Sequence, residues 1–342
     1  MRESLGTILE EKRKICPRFR LLSDSQLVFM ISNCDKPSAT KKLFSLMYSS
    51  VKKILLEKEN YCVGFVAKSG EVFMFENKIK VTPEAIEKWH YEFDNEIKET
   101  MKKMVLAAMP QSSTNLERVL TKYPIQIVCL VFDLLFTTNV SKCFQQLESN
   151  FLQNGKQKNF LDNIQNYLLS ITKDLSVIFD IYKKTKINHI SLLIFNLLNQ
   201  RDLLSKMIKN QIDSSENPLW YSYPKYVISD KNPDDLSIAV RVGPISVDYG
   251  FEYTGVQRPR IKSSGFNQLF INFLLSISNS IVPLICADVE IRKTETAIDF
   301  SGLLGFSPFV YPCYSSTTIE KLRSAIKNAR ECKEFLILEG ID

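Results

Sequence analysis

Histidine is nearly absent from this chain, and glycine is scarce. Only His90 and His189 occur among 342 residues. The eight cysteines, at 16, 34, 62, 129, 143, 286, 313 and 332, include no Cys-x-x-Cys pair. Zinc needs clustered Cys and His ligands, so no metal site is expected; reduced thiols are the reading. With 11 Gly and 13 Pro, the chain is neither a loop-rich all-β protein nor a disordered one. Its N-terminus, "MRESLGTILEEKRKICPRF", is polar and charged, unlike a secretory signal. The longest apolar run, Ile125–Phe136, carries Asp133 and is too short to span a bilayer. Lys and Arg exceed Asp and Glu by 6, but they are dispersed and lack aromatic interleaving. Neither nucleic acid nor membrane is an expected partner, and a soluble, cytoplasmic chain is expected.

What is present is core-forming material. The chain is 45% hydrophobic with 22 Phe and 13 Tyr, and its length suits about two domains. The first ~215 residues read mostly as helix. Ser23-Asp24 caps a helix through Ile31. After Pro37, apolar residues at Leu43, Leu46, Met47, Val51, Ile54 and Leu55 follow helical spacing. "YCVGFVAKSGEVFMFENKIKV" then changes period and predicts a β-hairpin turning at Lys68-Ser69-Gly70. Thr82-Pro83-Glu84 opens a helix expected to run to Ala108 and end at Pro110. A buried helix follows Pro124, and two long helices cover roughly Phe160–Lys183 and His189–Gln211.

The texture changes near residue 213, where Pro, Asn and Asp punctuate the chain. Beyond about 240, short strands alternate with helices: strands in 236–255, a helix at Asn267–Ser278, a strand "IVPLICA", and a helix Lys293–Leu304. A strand "PFVYPC", a helix Ser316–Ala329 and a strand "EFLILEG" complete it. Such alternation predicts a parallel sheet.

Within it, "ADVEIRKTET" (287–296) ends like a phosphate-binding loop, G-x-x-x-x-G-K-[ST]. Lys293 and Thr294 fill the last two positions. Ala287 and Arg292 stand where glycines belong. Glycine lets such a loop take positive φ and turn its N–H groups inward. A residue with a Cβ pays about 1–2 kcal/mol there. Glu290 adds an anion beside the expected phosphates. At about 4 Å and an effective dielectric near 20, two unit charges repel by roughly 4 kcal/mol. A hydrolytic site also needs an apolar strand ending in Asp-Glu, the Asp for Mg²⁺ and the Glu for the attacking water. "EFLILEGID" offers Leu338-Glu339, so the Glu is present and the Asp is missing.

"YGFEYTGVQRPRI" (249–261) resembles the entry to the first AAA+ module of dynein heavy chains, where "YGFEYLG" precedes the loop "GPAGTGKTE". "VYPCYSS" sits where that family has "VFNC". Upstream, "CPRFRLLSDSQLVFMI" (16–31) resembles the linker stretch "FPRFYFLSDDELLEIL". The hairpin "GFVAKSGEVFMF" and "LWYSYPKY" (219–226) also have linker counterparts. The resemblance covers nearly the whole chain in order. It implies a helical linker bundle with a small β-hairpin over 1–215, a junction at 216–240, and a partial P-loop AAA+-like α/β subdomain over 241–342. It implies vestigial roles for Lys293, Thr294 and Glu295 in the phosphate loop, and for Glu339 as the former catalytic Glu.

In that family the linker is the lever and the first module is the principal ATPase. The expectation here is a mechanical or structural part of a microtubule motor, axonemal by preference, with no ATP hydrolysis of its own. The chain is expected to be a fragment, a short isoform or a degenerate paralogue. No cofactor is expected; ATP with Mg²⁺ enters only if the loop still binds. Other dynein chains, heavy, intermediate or light, are the expected partners, and the microtubule only through a longer parent. Two alternatives stand beside this reading. One is an ATPase that tolerates a distorted loop, and the other a non-catalytic helical interaction module.

Overall fold

The computed structural model describes residues 2–34, 37–57, 60–112, 115–149, 156–185, 189–229, 236–256, 263–288, 291–333 and 335–340. They form a mainly helical protein with small sheets, as the sequence pattern predicts. The chain divides into two compact units that interleave along the sequence. The first comprises Met1–Lys102, Gly250–Gly255 and Ala287–Asp342; the second comprises Lys103–Tyr249 and Val256–Cys286.

The first unit opens with α1 (Arg2–Ile15), a 3-10 turn at Pro17–Leu21, α2 (Asp24–Ser32) and α3 (Pro37–Met47). Ser23 caps α2 as expected. Its hydroxyl accepts from the Gln26 N–H, and the Gln26 side chain accepts from the Ser23 N–H. The helix expected to continue past residue 50 does not. Val51–Glu57 is a strand, β1, paired antiparallel with β2 (Tyr61–Ala67). The apolar spacing of 43–55 fits a helix, but Val51 and Ile54 are β-branched and the partner strand decides the outcome. β2 pairs with β3 (Val72–Lys80) in the expected hairpin. Its turn places Gly70 at φ +92°, a value a side chain would resist.

A 3-10 turn at Pro83–Ala85 leads into α4 (Ile86–Ser112). Thr82 makes no side-chain cap, and Pro110 lies inside the helix, not beyond its end. Pro110 lies two residues before the helix end, so the one N–H it removes and the bend it imposes affect only the last turn. The core of this unit is aromatic. Phe19, Phe65, Phe73 and Phe93 are fully buried, with Phe44, Tyr48 and Tyr253 packed among them. Each such ring contributes about 1.5–3 kcal/mol by leaving water.

The unit closes with α11 (Lys293–Leu303), β7 (Pro308–Pro312), α12 (Ile319–Cys332) and β8 (Phe335–Glu339). β7 and β8 pair in parallel through the α12 crossover, as strand–helix alternation predicts.

In the second unit α5 (Leu116–Lys122), which the sequence pattern did not predict, is followed by α6 (Ile125–Ser149), α7 (Lys156–Thr185) and α8 (Ile190–Lys209), which follow the predicted helical runs. α6 is buried over most of its length. By length and composition it is apolar enough to cross a membrane, longer than the run read from sequence; 61% of that stretch is packed inside the protein. Its Asp133 accepts from Asn196 Nδ2 at 3.0 Å and Gln200 Nε2 at 2.9 Å. Those two amides lie four apart on α8, hence on one face. A short α9 (Pro218–Tyr221), the meander β4 (Lys225–Ser229), β5 (Ser237–Val242) and β6 (Ile245–Asp248), and α10 (Ser264–Ser278) complete the unit. The strand expected at "IVPLICA" is absent. Residues 281–287 have no regular structure, and Val282 and Leu284 are 87% and 75% exposed. A strand needs a partner. Among the described residues β7 and β8 pair only with each other, and Pro283 removes one donor.

Candidate functional site

The residues singled out by the loop motif do converge. Lys293 and Thr294 begin α11, and Glu339 ends β8 beside it. The Thr294 hydroxyl donates to Glu339 Oε1 at 2.6 Å, across 45 residues of chain. Lys293 Nζ donates to the Ala287 carbonyl at 2.8 Å, so the loop is closed on itself. Glu295 lies in the first turn of α11, half-buried, where a carboxylate suits the helix dipole. Glu339 is exposed, and its backbone carbonyl accepts from Cys313 N–H at 2.7 Å. Glu290 lies outside the described residues.

A phosphate cradle needs inward N–H groups on a loop at positive φ. Ala287, Asp288, Ile291 and Arg292 are the described residues of the loop, and none of them has positive φ. Arg292 takes φ −70° and ψ 68°, the values of an inverse γ-turn. The Lys293 N–H accordingly donates to Ile291 O at 2.7 Å. The donor that should head the anion site is consumed locally. The Lys293 ammonium and Thr294 hydroxyl are likewise engaged by the protein. The described residues of the loop do not fit ATP with Mg²⁺ in this geometry.

A second polar group lies in the same unit, outside the phosphate-loop motif. Arg18 is 7% exposed and Glu252 is 6% exposed. Arg18 Nε pairs with Asp94 Oδ1 at 2.7 Å, its Nη2 with Glu252 Oε1 at 3.4 Å, and its Nη1 donates to Met47 O at 3.1 Å. Lys98 lies 3.5 Å from both carboxylates, and Glu252 Oε2 accepts from the Ser307 N–H at 2.8 Å. Burial by itself would raise the Asp94 carboxyl; the Arg18 and Lys98 charges overcome it and hold the group below the usual range. A small cavity opens beside this cluster, bordered by Arg18, Tyr48, Asp94, Lys98 and Glu252.

Glu252 belongs to "YGFEY", and the geometry explains that stretch. Gly250 N–H donates to Leu304 O and Glu252 N–H to Gly305 O, both at 2.9 Å, so the segment runs along residues 304–305. A Cβ at Gly250 would lie 2.8 Å from Gly305 O and 2.6 Å from the Phe306 ring. Tyr253 donates its hydroxyl to Glu71 at 2.8 Å and packs edge-on against the stacked Phe65 and Phe73.

Sequence comparison bears on the class of protein. Residues 1–108 match the family model described as "Dynein heavy chain, N-terminal region 2". The chain is also similar to whole heavy chains. It is 24% identical over 325 residues to the Neurospora crassa protein named "Dynein heavy chain, cytoplasmic", covering 92% of this chain and 7% of that one. The Eremothecium gossypii protein of the same name is 25% identical over 327 residues, covering 92% and 8%. "Dynein beta chain, ciliary" of Heliocidaris crassispina is 21% identical over 323 residues, covering 91% and 7%. The chain is thus similar to dynein heavy chains along nearly its whole length, and it spans less than a tenth of theirs.

Proposed function

We propose that this chain is a linker-to-ring segment of a dynein heavy chain, mechanical or structural in role, whose nucleotide loop has decayed. Residues 1–215 are the linker-like helical part, 216–240 the junction, and 241–342 a partial, degenerate AAA+ large subdomain. The observation that carries the reading is the ordered similarity to dynein heavy chains over 92% of the chain. The loop geometry supports the second half of it, because Lys293, Thr294 and Glu339 bond to the protein itself. Other dynein chains are the proposed partners, and the microtubule is reached only through a longer parent. The proposed location is cytoplasmic and cytoskeletal. An axonemal parent is the finer proposal; relatives named cytoplasmic and ciliary both match.

Calorimetric titration with Mg-ATP tests the loop. Wild type is expected to bind no tighter than about millimolar, worth roughly 4 kcal/mol. Glu290→Gln removes one charge. Ala287→Gly, Glu290→Gly and Arg292→Gly together restore backbone freedom, and this variant is expected to bind more tightly than Glu290→Gln. Micromolar binding by wild type, or phosphate release abolished by Lys293→Ala, would establish the working-ATPase reading instead.

A further inference from the structure

The second unit buries a carboxylate without a cation beside it. Asp133 on α6 is 8% exposed, and Asn196 and Gln200 on α8 are 8% and 1% exposed. Both amides donate to one oxygen, Asp133 Oδ1, and no Lys or Arg pairs with that carboxylate among the described residues. Gln200 Oε1 is itself buried and has no hydrogen-bond partner among the described residues. The lengths of the C=O and C–N bonds put Oε1 about 2.2 Å from Nε2. Since Nε2 is 2.9 Å from Asp133 Oδ1, Oε1 lies within about 5 Å of that oxygen. Two acceptors, one of them charged, thus lie near each other in the interior. Burial pushes the Tyr223 and Tyr226 phenols well up and the Asp133 charge pushes them further, so both hydroxyls stay neutral near it.

A buried anion with no counter-charge is strongly destabilising, and amide dipoles offset only part of the lost hydration. From this we infer that the contact between α6 and α8 binds one monovalent alkali cation, held by the Asp133 carboxylate and Gln200 Oε1. The chemistry selects that ligand. Carboxylate and carbonyl oxygens suit hard cations. An ion about 2.5 Å from each oxygen, an ordinary cation–oxygen distance, bridges a gap of about 5 Å. One carboxylate balances one positive charge. A divalent ion would leave an excess, and no group of three Asp, Glu, His or Cys side chains is gathered among the described residues. A water could donate to both acceptors, but it would leave the charge unbalanced. The ion would tie α6 to α8. Thr137 extends the tie to β4, donating to the Asp133 carbonyl and accepting from the Tyr226 N–H. With so few protein ligands the Kd is on the order of 10 mM, weaker than that of calcium modules. This inference does not depend on the dynein reading or on the nucleotide loop.

The test is thermal unfolding of the full chain, followed by circular dichroism in about 150 mM choline, sodium or potassium chloride. Sodium or potassium is expected to raise the midpoint by about 3–6 °C over choline, saturably with concentration, and the larger shift names the ion. Asp133→Asn is expected to reduce that difference to less than about 1 °C. Asp202→Asn, which removes an exposed acid on the same pair of helices, is expected to keep it. Gln200→Met is expected to at least halve it. Gln200→Glu sets a second anion beside the first and is expected to widen it about twofold, which a glutamine with a purely structural role would not do. The two Gln200 variants carry the test if Asp133→Asn does not fold. Equal midpoints in choline, sodium and potassium would overturn the proposal and assign the place to a water. So would a wild-type shift retained in Asp133→Asn, or a difference in Gln200→Glu no larger than that of wild type.

Discussion

The first unit holds two polar groups of different make: cations face carboxylates in one, and a hydroxyl faces a carboxylate in the other. Arg18, Asp94, Lys98 and Glu252 meet in the interior; Thr294 and Glu339 meet at the surface, while Lys293 bonds the Ala287 carbonyl. Only the second is visible as a motif, and it is the weaker of the two. Water screens an exposed pair and competes for its hydrogen bonds, so it contributes little. A buried pair cannot fall back on water, so loss of one member strands the others. Motif and stability therefore point to different residues. An exposed loop can keep or lose such polar groups with little cost to the fold, whereas Glu252 is fixed by what surrounds it.

The largest expected effect comes from breaking the buried group. Arg18→Met leaves Asp94 and Glu252 with only Lys98, and should cost about 3–5 kcal/mol in urea unfolding. Glu252→Gln keeps an acceptor for the Ser307 N–H and should cost less, about 1–3 kcal/mol. A change under about 1 kcal/mol in Arg18→Met would mean that the cluster is not holding the segment 250–255. The pH sign follows from Asp94. Its folded pKa lies below its ordinary value of 3.8, so its contribution is present above 3.8 and is lost as pH falls below it.

His90 sharpens the comparison because its ring is buried with no hydrogen-bond partner among the described residues. It is 0% exposed, neither ring nitrogen has a hydrogen bond, and Phe19, Phe44, Tyr48 and Trp89 surround it. Burial pushes its pKa down from 6.5 to about 3. The unfolded chain therefore takes up a proton below 6.5 that the folded chain refuses. Stability is full above 6.5 and falls with pH toward 3, by about 3 kcal/mol at pH 4. His90→Phe should flatten that slope in denaturation curves taken from pH 7 to 4. An unchanged slope would assign the pH dependence to other groups.

Legibility followed the range of the interaction. The α2 cap was readable because Ser23 and Gln26 are three apart, and α4 because Trp89, Phe93, Ile97, Met101 and Val105 share one face and are all buried. β1 was misread as helix because Leu43 to Leu55 satisfies helical spacing, while its deciding partner is β2. The strand expected at 281–287 failed for the same reason, since pairing is not a property of the segment alone. At the candidate site, Lys293, Thr294 and Glu339 were legible from the order of two motifs. The γ-turn at Arg292 was not, nor was the Arg18–Asp94 pair, 76 residues apart with no pattern linking its members.

The smallest expected effect is at the surface group, and it is the sharpest check of the contrast. Thr294→Val removes the hydroxyl that bonds Glu339, and Glu339→Gln keeps the acceptor oxygen while removing the charge. Both groups can turn to water once the bond is gone. A double-mutant cycle of Thr294→Val with Glu339→Ala should then give a coupling below about 1 kcal/mol, against several for the buried group. Glu339→Gln should be close to neutral, since a neutral amide oxygen still accepts from the hydroxyl. Hydrogen exchange at the start of α11 and the end of β8 gives the local view: faster exchange confined to those residues is expected, with the global midpoint unmoved. A coupling above about 2 kcal/mol would place this bond among the anchors of the fold. The polar remnant of the loop would then be retained for structure, and the contrast between the buried and exposed groups would fail.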